Sequence, residues 1–509
     1  MLAPDMRSIW WLPTFGFLFF LGIEFGMFVQ PDLFFADPGV GRHLRTAEVI
    51  LATHQVPRTD PLSFTKPGQP WFDYEWAFEA TIGELGRVGG LGLVCAFCTA
   101  IFAATILGVY RMLLQAGLSV TPMVLVTGLA FLTLHMHFAV RPLLFTYLFM
   151  ALVVEVWNRQ REPRRIDWIL LPIIFVAWAN LHAGWAAALV FLSGSVAGRI
   201  VDRFLKRVDG EEAPVIPWIG LILLCTLATW FNPWGWKLHR EIFLFATTYK
   251  SFALWDEYIP PDFLQPSLSA IVILCLLLVF FIARTFRRIP VWRTETVLPV
   301  FFFLWQGLKA QRHVLLLMEV AAVPLGRDLE VVLHGTWWPF LRDRLRQFQA
   351  TQRLADGDAW LSLLAAIVVG ALFVRTPIAH HIQVGQSITP RLISFVKDHP
   401  DRFERPLVTT ANAGPLLWNL RPDFRASFDD RGDYYGDPMV FSFVDLYHGA
   451  PGWRATLDKY HFDSAILDAY LPLNQLLGLL PDWKVVYRDK NTVVFWREAP
   501  APPPPAPSP

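Results

Sequence analysis

Asp37, His43 and Arg45 fall close together in the string "ADPGVGRHLR", and Asp73, Glu75 and Trp76 follow in the same stretch of chain. A carboxylate placed this way can take a proton from an attacking hydroxyl, while a guanidinium offers a planar donor fork suited to phosphate oxygens. Distant turns add Arg141, His182, Glu257, Arg312 and His313. Together these types fit group transfer onto or from a lipid phosphate: a carboxylate as base, arginines on the departing phosphate, and tryptophan against a sugar face. Taken singly, several have a purely structural reading. Arg141 precedes Pro142 and can snorkel, and Asn180 and His182 can serve as interhelical hydrogen bonders.

The elements that must position these residues are set by composition. Of 509 residues, 54% are hydrophobic and only 17% charged, well below the roughly one quarter usual in soluble domains. That is the composition of a membrane protein. The formal net charge of +1 argues against a nucleic-acid partner, which would require a basic face. Apolar stretches long enough for about 30 Å of hydrocarbon number about eleven. The first carries only Arg7 before it and no small-residue cleavage site after it, so it reads as a retained anchor.

Basic clusters fix the sidedness. "NRQREPRR", "GRIVDRFLKR", "RTFRRIPVWR" and "LRDRLRQFQATQR" occupy alternate connections, the pattern of cytoplasmic loops. The N-terminus is therefore expected inside, and the loop 31–90 and the segment after the last span outside. All the chemistry-bearing residues named above fall on that outer side. The four cysteines lie within predicted spans, and Cys95 and Cys98 read as packing residues rather than a metal pair.

Loop 31–90 is longer than a connector requires. "HLRTAEVILATH" and "WFDYEWAFEATIGEL" fit two amphipathic helices at the membrane interface, the second anchored by Trp71, Trp76 and Phe78, with the turn-rich "VPRTDPLSFTKPGQP" between them. From Thr389 the pattern changes to short alternating elements: helices at "PRLISFVKDH", "GPLLWNL" and "GWRATLDKY", strands at "PLVTT", "FRASFD" and "FDSAILD", and a terminal hairpin around Lys490 and Asn491. Within this tail "FDDRGDYYGDP" reads as a charged turn rather than a site, since no nucleophile and base pair or phosphate-cradling glycine pattern accompanies it. The expected class is a mainly α, polytopic helical membrane protein with a small C-terminal extracytoplasmic α/β domain. Its divisions are 1–376 for the membrane domain, 377–498 for the soluble domain and 499–509 for a disordered Pro-rich tail.

The string "ADPGVGRHLRTAEVILATHQVPRTDPLSFTKPGQPWFDYEW" resembles the first extracytoplasmic loop of GT-C superfamily glycosyltransferase-like proteins: an Asp soon after the first span, a His-Leu helix, a P-x-x-D-P turn and a helix bearing Trp and Glu. "RPLLFTYLF", "WANLHAGWAAAL", "NPWGWKL", "LWDEYIPPDF" and "QRHVLLLMEVAAVP" are similar to recurrent segments of an uncharacterised bacterial branch of that group. Where the branch commonly has an aromatic before His-Leu, this chain has Arg42.

The resemblance implies a bacterial inner-membrane glycosyltransferase acting on the outer side. It would use a polyprenyl-phosphate sugar donor, invert the anomeric carbon and deliver to a glycan, lipid or protein acceptor. It assigns Asp37 as the catalytic carboxylate, with Asp73 and Glu75 as the second acidic pair. His43, Arg45, Trp76, Arg141, His182, Glu257, Arg312 and His313 are the substrate-binding candidates. A divalent cation, Mg or Mn, held by Asp37, Asp73 and Glu75 is an option, and the metal-free form is preferred. The competing reading is a non-catalytic binder or transporter of lipid-linked sugars, or a degenerate scaffold in envelope glycan assembly. No paired repeats with broken helices speak for a transporter.

Overall fold

The computed structural model describes residues 9–135, 137, 139–159, 162–205, 214–264, 267–287, 293–333, 339–375 and 388–498. The Pro-rich tail 499–509 and parts of the basic clusters lie outside these. In chain order the first helices are α1 (Gly16–Val29), α2 (Gly39–Thr53), α3 (Trp76–Gln115), α4 (Val120–His135), α5 (Leu143–Arg159) and α6 (Asp167–Leu181). Then come α7 (Trp185–Phe204), α8 (Ile216–Ala228), α9 (Lys237–Thr247), α10 (Leu268–Arg287), α11 (Thr294–Lys309), α12 (Val314–Leu333), α13 (Pro339–Leu354) and α14 (Asp358–Arg375). The tail adds α15 (Pro390–Lys397), α16 (Thr410–Asn419), α17 (Gly432–Tyr435), α18 (Asp437–His448), α19 (Trp453–Lys459) and α20 (Leu473–Gly478). Its strands are β1 (Pro406–Val408), β2 (Ser464–Asp468), β3 (Trp483–Arg488) and β4 (Thr492–Arg497).

The chain forms two compact units. One comprises Met1–Leu33, Leu85–Ile242 and Ala253–His381; the other comprises Phe34–Glu84, Phe243–Phe252 and Ile382–Pro509. Residues 34–84 of the first loop thus group with the tail.

In the helical unit, α3, α7 and α14 have the length and hydropathy to cross a membrane, and α1, α4, α6, α8 and α10 contain shorter apolar segments. At its centre α12 is buried on every side from Val314 to Pro324, as expected of a helix apolar nearly all round, with Glu319 the one charged residue in that stretch. It packs against α4, α5, α10 and α11. Gly198 of α7 lets the backbone of Glu295 on α11 approach, since a Cβ there would lie 2.4 Å from it.

The second unit is built on a sheet of order β1-β2-β4-β3, with β1 parallel to β2 and the other pairs antiparallel. Central strand β2 is buried along its full length. Leu392, Val396, Val408, Leu416, Ile466 and Val494 meet in its core, joined by Leu62 of the first loop. The β3-β4 turn closes where the Asp489 carboxylate accepts the Asn491 and Thr492 N–H groups at 2.9 and 2.8 Å.

Two expectations fail here. "FRASFD" is not a strand of the sheet, because its backbone is used elsewhere: Ala426 N–H donates to Leu62 O at 3.0 Å and Ala426 O accepts from Phe64 N at 3.2 Å. Nor do the first-loop helices expose their apolar faces as interfacial helices would. Trp71 is 5% exposed and Phe78 fully buried, so both are core residues and not membrane anchors. Helix α2 packs on α16 so closely that a Cβ on Gly41 would lie 2.1 Å from Gly414 O. Amphipathicity demands an apolar partner for one face, and here that partner is protein.

Candidate functional site

Two charged clusters form, one in each unit. In the helical unit Glu257, on the short 3-10 turn Asp256–Tyr258, accepts from Arg141 Nη1 at 2.6 Å and from Arg312 Nη1 at 2.9 Å. Arg141 lies just before α5, and Arg312 sits in the turn between α11 and α12 with its guanidinium 4.3 Å from the centre of the Tyr258 ring. Burial opposes ionisation of Glu257, but the two arginines outweigh it and hold the carboxyl down near 2. Three histidines border the cluster. Burial, with help from Arg312, lowers His137 and His182 to about 3 and His313 to about 4, so all three are neutral at physiological pH. His182 is fixed by Thr146 Oγ1 at 2.7 Å, an oxygen that also accepts from Trp178 Nε1 at 2.9 Å. His313 Nδ1 faces Gln306 O at 3.4 Å. Two guanidinium groups sharing one carboxylate leave a net positive cluster, and planar donor forks of this kind suit phosphate oxygens.

The second cluster is acidic and lies in the mixed unit. Asp37 precedes α2, and its Oδ1 accepts the Gly39 N–H at 2.8 Å. A Cβ on Gly39 would lie 2.7 Å from Asp430 Oδ2 and 3.1 Å from Asp37 Oδ1, so these two carboxylates flank the same helix start. Arg42, one turn into α2, is the hub. Its Nε and Nη2 donate to Asp430 at 2.7 and 3.3 Å, and its Nη1 donates to Glu79 Oε1 at 3.3 Å. Its Nη2 also lies 3.1 Å from His43 Nε2 and 3.8 Å from Glu75 Oε2. His43 Nδ1 meets Glu79 Oε1 at 2.9 Å. One tautomer satisfies both contacts: Nε2 accepts from Arg42 and Nδ1–H donates to Glu79.

Burial pushes the Glu75 carboxyl up to about 8, against the pull of Arg42, and Asp73 up to about 6. Burial also raises Asp433, whose Oδ2 accepts from Tyr74 OH at 3.4 Å. Arg42 stays firmly protonated: its burial favours the neutral form, but Asp430, Glu75 and Glu79 more than offset this.

Of the residues expected to act together, Arg141, Glu257 and Arg312 converge, with His182 and His313 at their border. Asp73, Glu75 and His43 gather in the other unit with Asp37. Trp76 opens α3 beside them. Arg45 turns to a structural task, pairing with Glu48 at 2.9 Å and donating to Pro422 O at 2.9 Å. The sequence reading missed Glu79, although its spacing of one helical turn from Glu75 was a signal, and it left Arg42 without a role. It also missed Asp430. The "FDDRGDYYGDP" segment is no ordinary turn: Asp429 and Asp60 enclose the buried Arg431 at 2.6 and 2.8 Å, Asp430 reaches Arg42, and Asp437 accepts the N–H groups of Lys250 and Ser251.

No family model matches the sequence, and no curated protein matches it either. Solved structures do. The oligosaccharyltransferase of Archaeoglobus fulgidus, in its apo form, superposes with a TM-score of 0.50 at 10% identity, over 89% of this chain and 69% of that one. The fold is GT-C-like. ArnT from Cupriavidus metallidurans, solved with undecaprenyl phosphate, matches at a TM-score of 0.43 and 13% identity over 94% of this chain and 97% of its own.

For a GT-C-like fold the fit of a divalent cation can be tested on the residues present. The ligand atoms of His43, Glu75 and Glu79 lie within 4.8 Å of one another, a spacing one cation can bridge. Asp37, expected among the ligands, is not in that group. The Arg42 guanidinium already faces all three side chains, so a cation does not fit there while Arg42 holds its place.

Proposed function

We propose that this chain is a membrane glycosyltransferase that moves a sugar from a polyprenyl-phosphate donor to an acceptor on the outer side of the bacterial inner membrane, with inversion. The observation that carries this reading is the Arg141–Glu257–Arg312 cluster on a fold like that of an oligosaccharyltransferase. Arg141 and Arg312 hold the phosphate and stabilise the charge that grows on its oxygen as the C1–O bond breaks. The acceptor oxygen bonds to C1 with inversion as a carboxylate takes its proton, the role proposed for Asp37 and tested separately. Asp37 suits this part better than Asp73 or Glu79, because it is half-exposed whereas those two are buried. A phosphate leaving group needs no separate acid. The two roles belong to different units, and each is tested by itself.

The test is transfer by the purified full-length chain from polyprenyl-phosphate sugars. Asp37→Asn is expected to slow transfer by about 10²–10⁴-fold, the usual contribution of a general base. Equal donor consumption by wild type and variant removes Asp37 from the mechanism. Donor binding without transfer to any acceptor replaces the enzyme with a carrier of lipid-linked sugars.

A further inference from the structure

Within the mixed unit, residues 65–69 of the first loop and parts of the tail wall a cavity of about 530 Å³, in the size range of a small-ligand site. Its walls are fixed by hydrogen bonds of their own. Thr65 Oγ1 donates to Ser427 O at 2.6 Å, Lys66 Nζ donates to Tyr434 O at 2.5 Å, and Tyr434 OH returns a hydrogen bond to Lys66 O at 3.0 Å. The charged side chains on the lining are Lys66 and Lys459, and no carboxylate lines the cavity with them. Of the carboxylates nearby in the unit, Asp60 and Asp429 are spent on Arg431 at 2.8 and 2.6 Å, and Asp458 on Arg454 and Arg497 at 3.3 and 3.4 Å. Both ammonium groups are ordered over aromatic rings, Lys66 Nζ 4.5 Å from the centre of Tyr434 and Lys459 Nζ 5.0 Å from that of Tyr460. The Lys459 ammonium, the Gln69 side-chain amide and the Tyr460 hydroxyl make no hydrogen bond or ion pair with any described residue.

We infer that this cavity binds an acidic sugar unit of a glycan, with Lys66 and Lys459 on its carboxylate or phosphate, Gln69 and Tyr460 on its hydroxyls, and its apolar ring face against Tyr435 and Met439. The mixture of groups selects this class. A neutral sugar leaves two ammonium groups without a counter-charge, and a bare inorganic anion leaves the amide, the hydroxyl and the apolar wall unused. An acidic sugar uses all three, because it carries an anion, hydroxyls and an apolar face on one ring. The lining includes none of Asp37, Arg42, His43, Glu75 and Glu79, so the cavity is a site separate from the acidic cluster. Calling this glycan the acceptor rests on the transfer proposed above, whereas its binding does not.

Isothermal titration calorimetry on the purified full-length chain, with no donor present, tests it with three probes: trigalacturonate, glucose 6-phosphate and maltotriose. At least one acidic probe is expected to bind, and the tighter of the two tells a carboxylate from a phosphate. Maltotriose is expected to bind at least about tenfold more weakly, the scale of losing a charge-assisted hydrogen bond. Lys459→Ala, at an exposed position, should weaken the acidic probe at least about tenfold, and added salt should weaken it further. Lys484→Ala, which removes a lysine paired with Glu498 on β3, should leave it unchanged. Asp37→Asn should bind the probe as wild type does, so a loss of transfer in that variant leaves this result standing. Binding that survives Lys459→Ala overturns the inference, as does maltotriose bound equally well or no binding of either acidic probe. Inorganic phosphate bound as tightly as glucose 6-phosphate overturns it too, since the sugar then contributes nothing. Displacement of the probe by phosphatidylglycerol vesicles replaces the glycan with a lipid headgroup and equally overturns it.

Discussion

The two charged clusters solve the same electrostatic problem with opposite signs. In the helical unit two guanidinium groups share one carboxylate, and three bordering histidines are kept neutral. In the mixed unit one guanidinium serves three carboxylates, and the buried carboxyls are pushed toward their neutral forms. Each cluster suppresses ionisation of whatever would add to its own surplus. The first cluster carries two guanidinium charges against one carboxylate. The second cluster is answered by Arg42, with Asp37 half-exposed at its rim. The difference points to ligand binding in the first cluster and to order in the second.

The largest effect should come from the positive cluster. Arg312→Ala leaves Glu257 with a single arginine and removes a phosphate donor, so turnover of a polyprenyl-phosphate sugar should fall by about 10²–10³-fold, the scale of losing one transition-state stabilising donor. Arg42→Lys, in the negative cluster, keeps a charge but loses the fork to Asp430 and should cost far less. If the two variants lose turnover equally, the division of labour between the clusters is wrong. Steady-state kinetics on the pair decides it.

A smaller effect, on stability alone, isolates the mixed unit. A Cβ on Gly414 would lie 1.9 Å from Pro38 O, and backbone cannot retreat as a side-chain end can. Gly414→Ala should therefore cost on the order of 3 kcal/mol, at the upper end of ordinary overpacking. Limited proteolysis of the tail should accelerate, while phosphate binding by the helical unit should persist. Loss of both together would mean that the clusters are not independent.

These positions also mark what a sequence discloses. Helix α2 and the start of α3 were legible because their apolar residues recur at helical spacing, and the terminal hairpin because alternating residues flank Lys490 and Asn491. Arg141, Glu257 and Arg312 were legible as polar residues at the ends of apolar segments, where charge is costly without a purpose. Asp430 was not. It meets Arg42 across 388 positions of chain, and no local pattern encodes such a pairing. Trp71 and Phe78 were misjudged for a related reason: an amphipathic pattern reveals that a face is covered but not whether lipid or protein covers it. Arg42 was noticed only as a departure from an aromatic, because its meaning lies in the three side chains gathered around it.

The subtlest consequence of the opposed surpluses is a pair of opposite pH limbs. In the helical unit His137, His182 and His313 refuse protons down to about 3, 3 and 4, while their ordinary value is 6.5. Below pH 6.5 the unfolded chain therefore binds protons that the folded chain does not, and stability declines as pH falls from 6.5 toward 4. In the mixed unit Glu75 is raised from 4.5 to about 8 and Asp73 from 3.8 to about 6. Here the folded chain keeps protons that the unfolded chain has released, so stability declines as pH rises from 4.5 toward 8. At about 1.4 kcal/mol for each unit of displacement, each limb amounts to several kcal/mol and should move the thermal midpoint by several degrees or more. His313→Gln should flatten only the acidic limb and Glu75→Gln only the alkaline one, as measured by thermal unfolding across that range. A Glu75→Gln protein with a steeper alkaline limb would show that Glu75 is ionised in the folded state. Arg42 would then be balancing a full negative charge at Glu75, and the contrast between the two clusters would rest on the guanidinium alone.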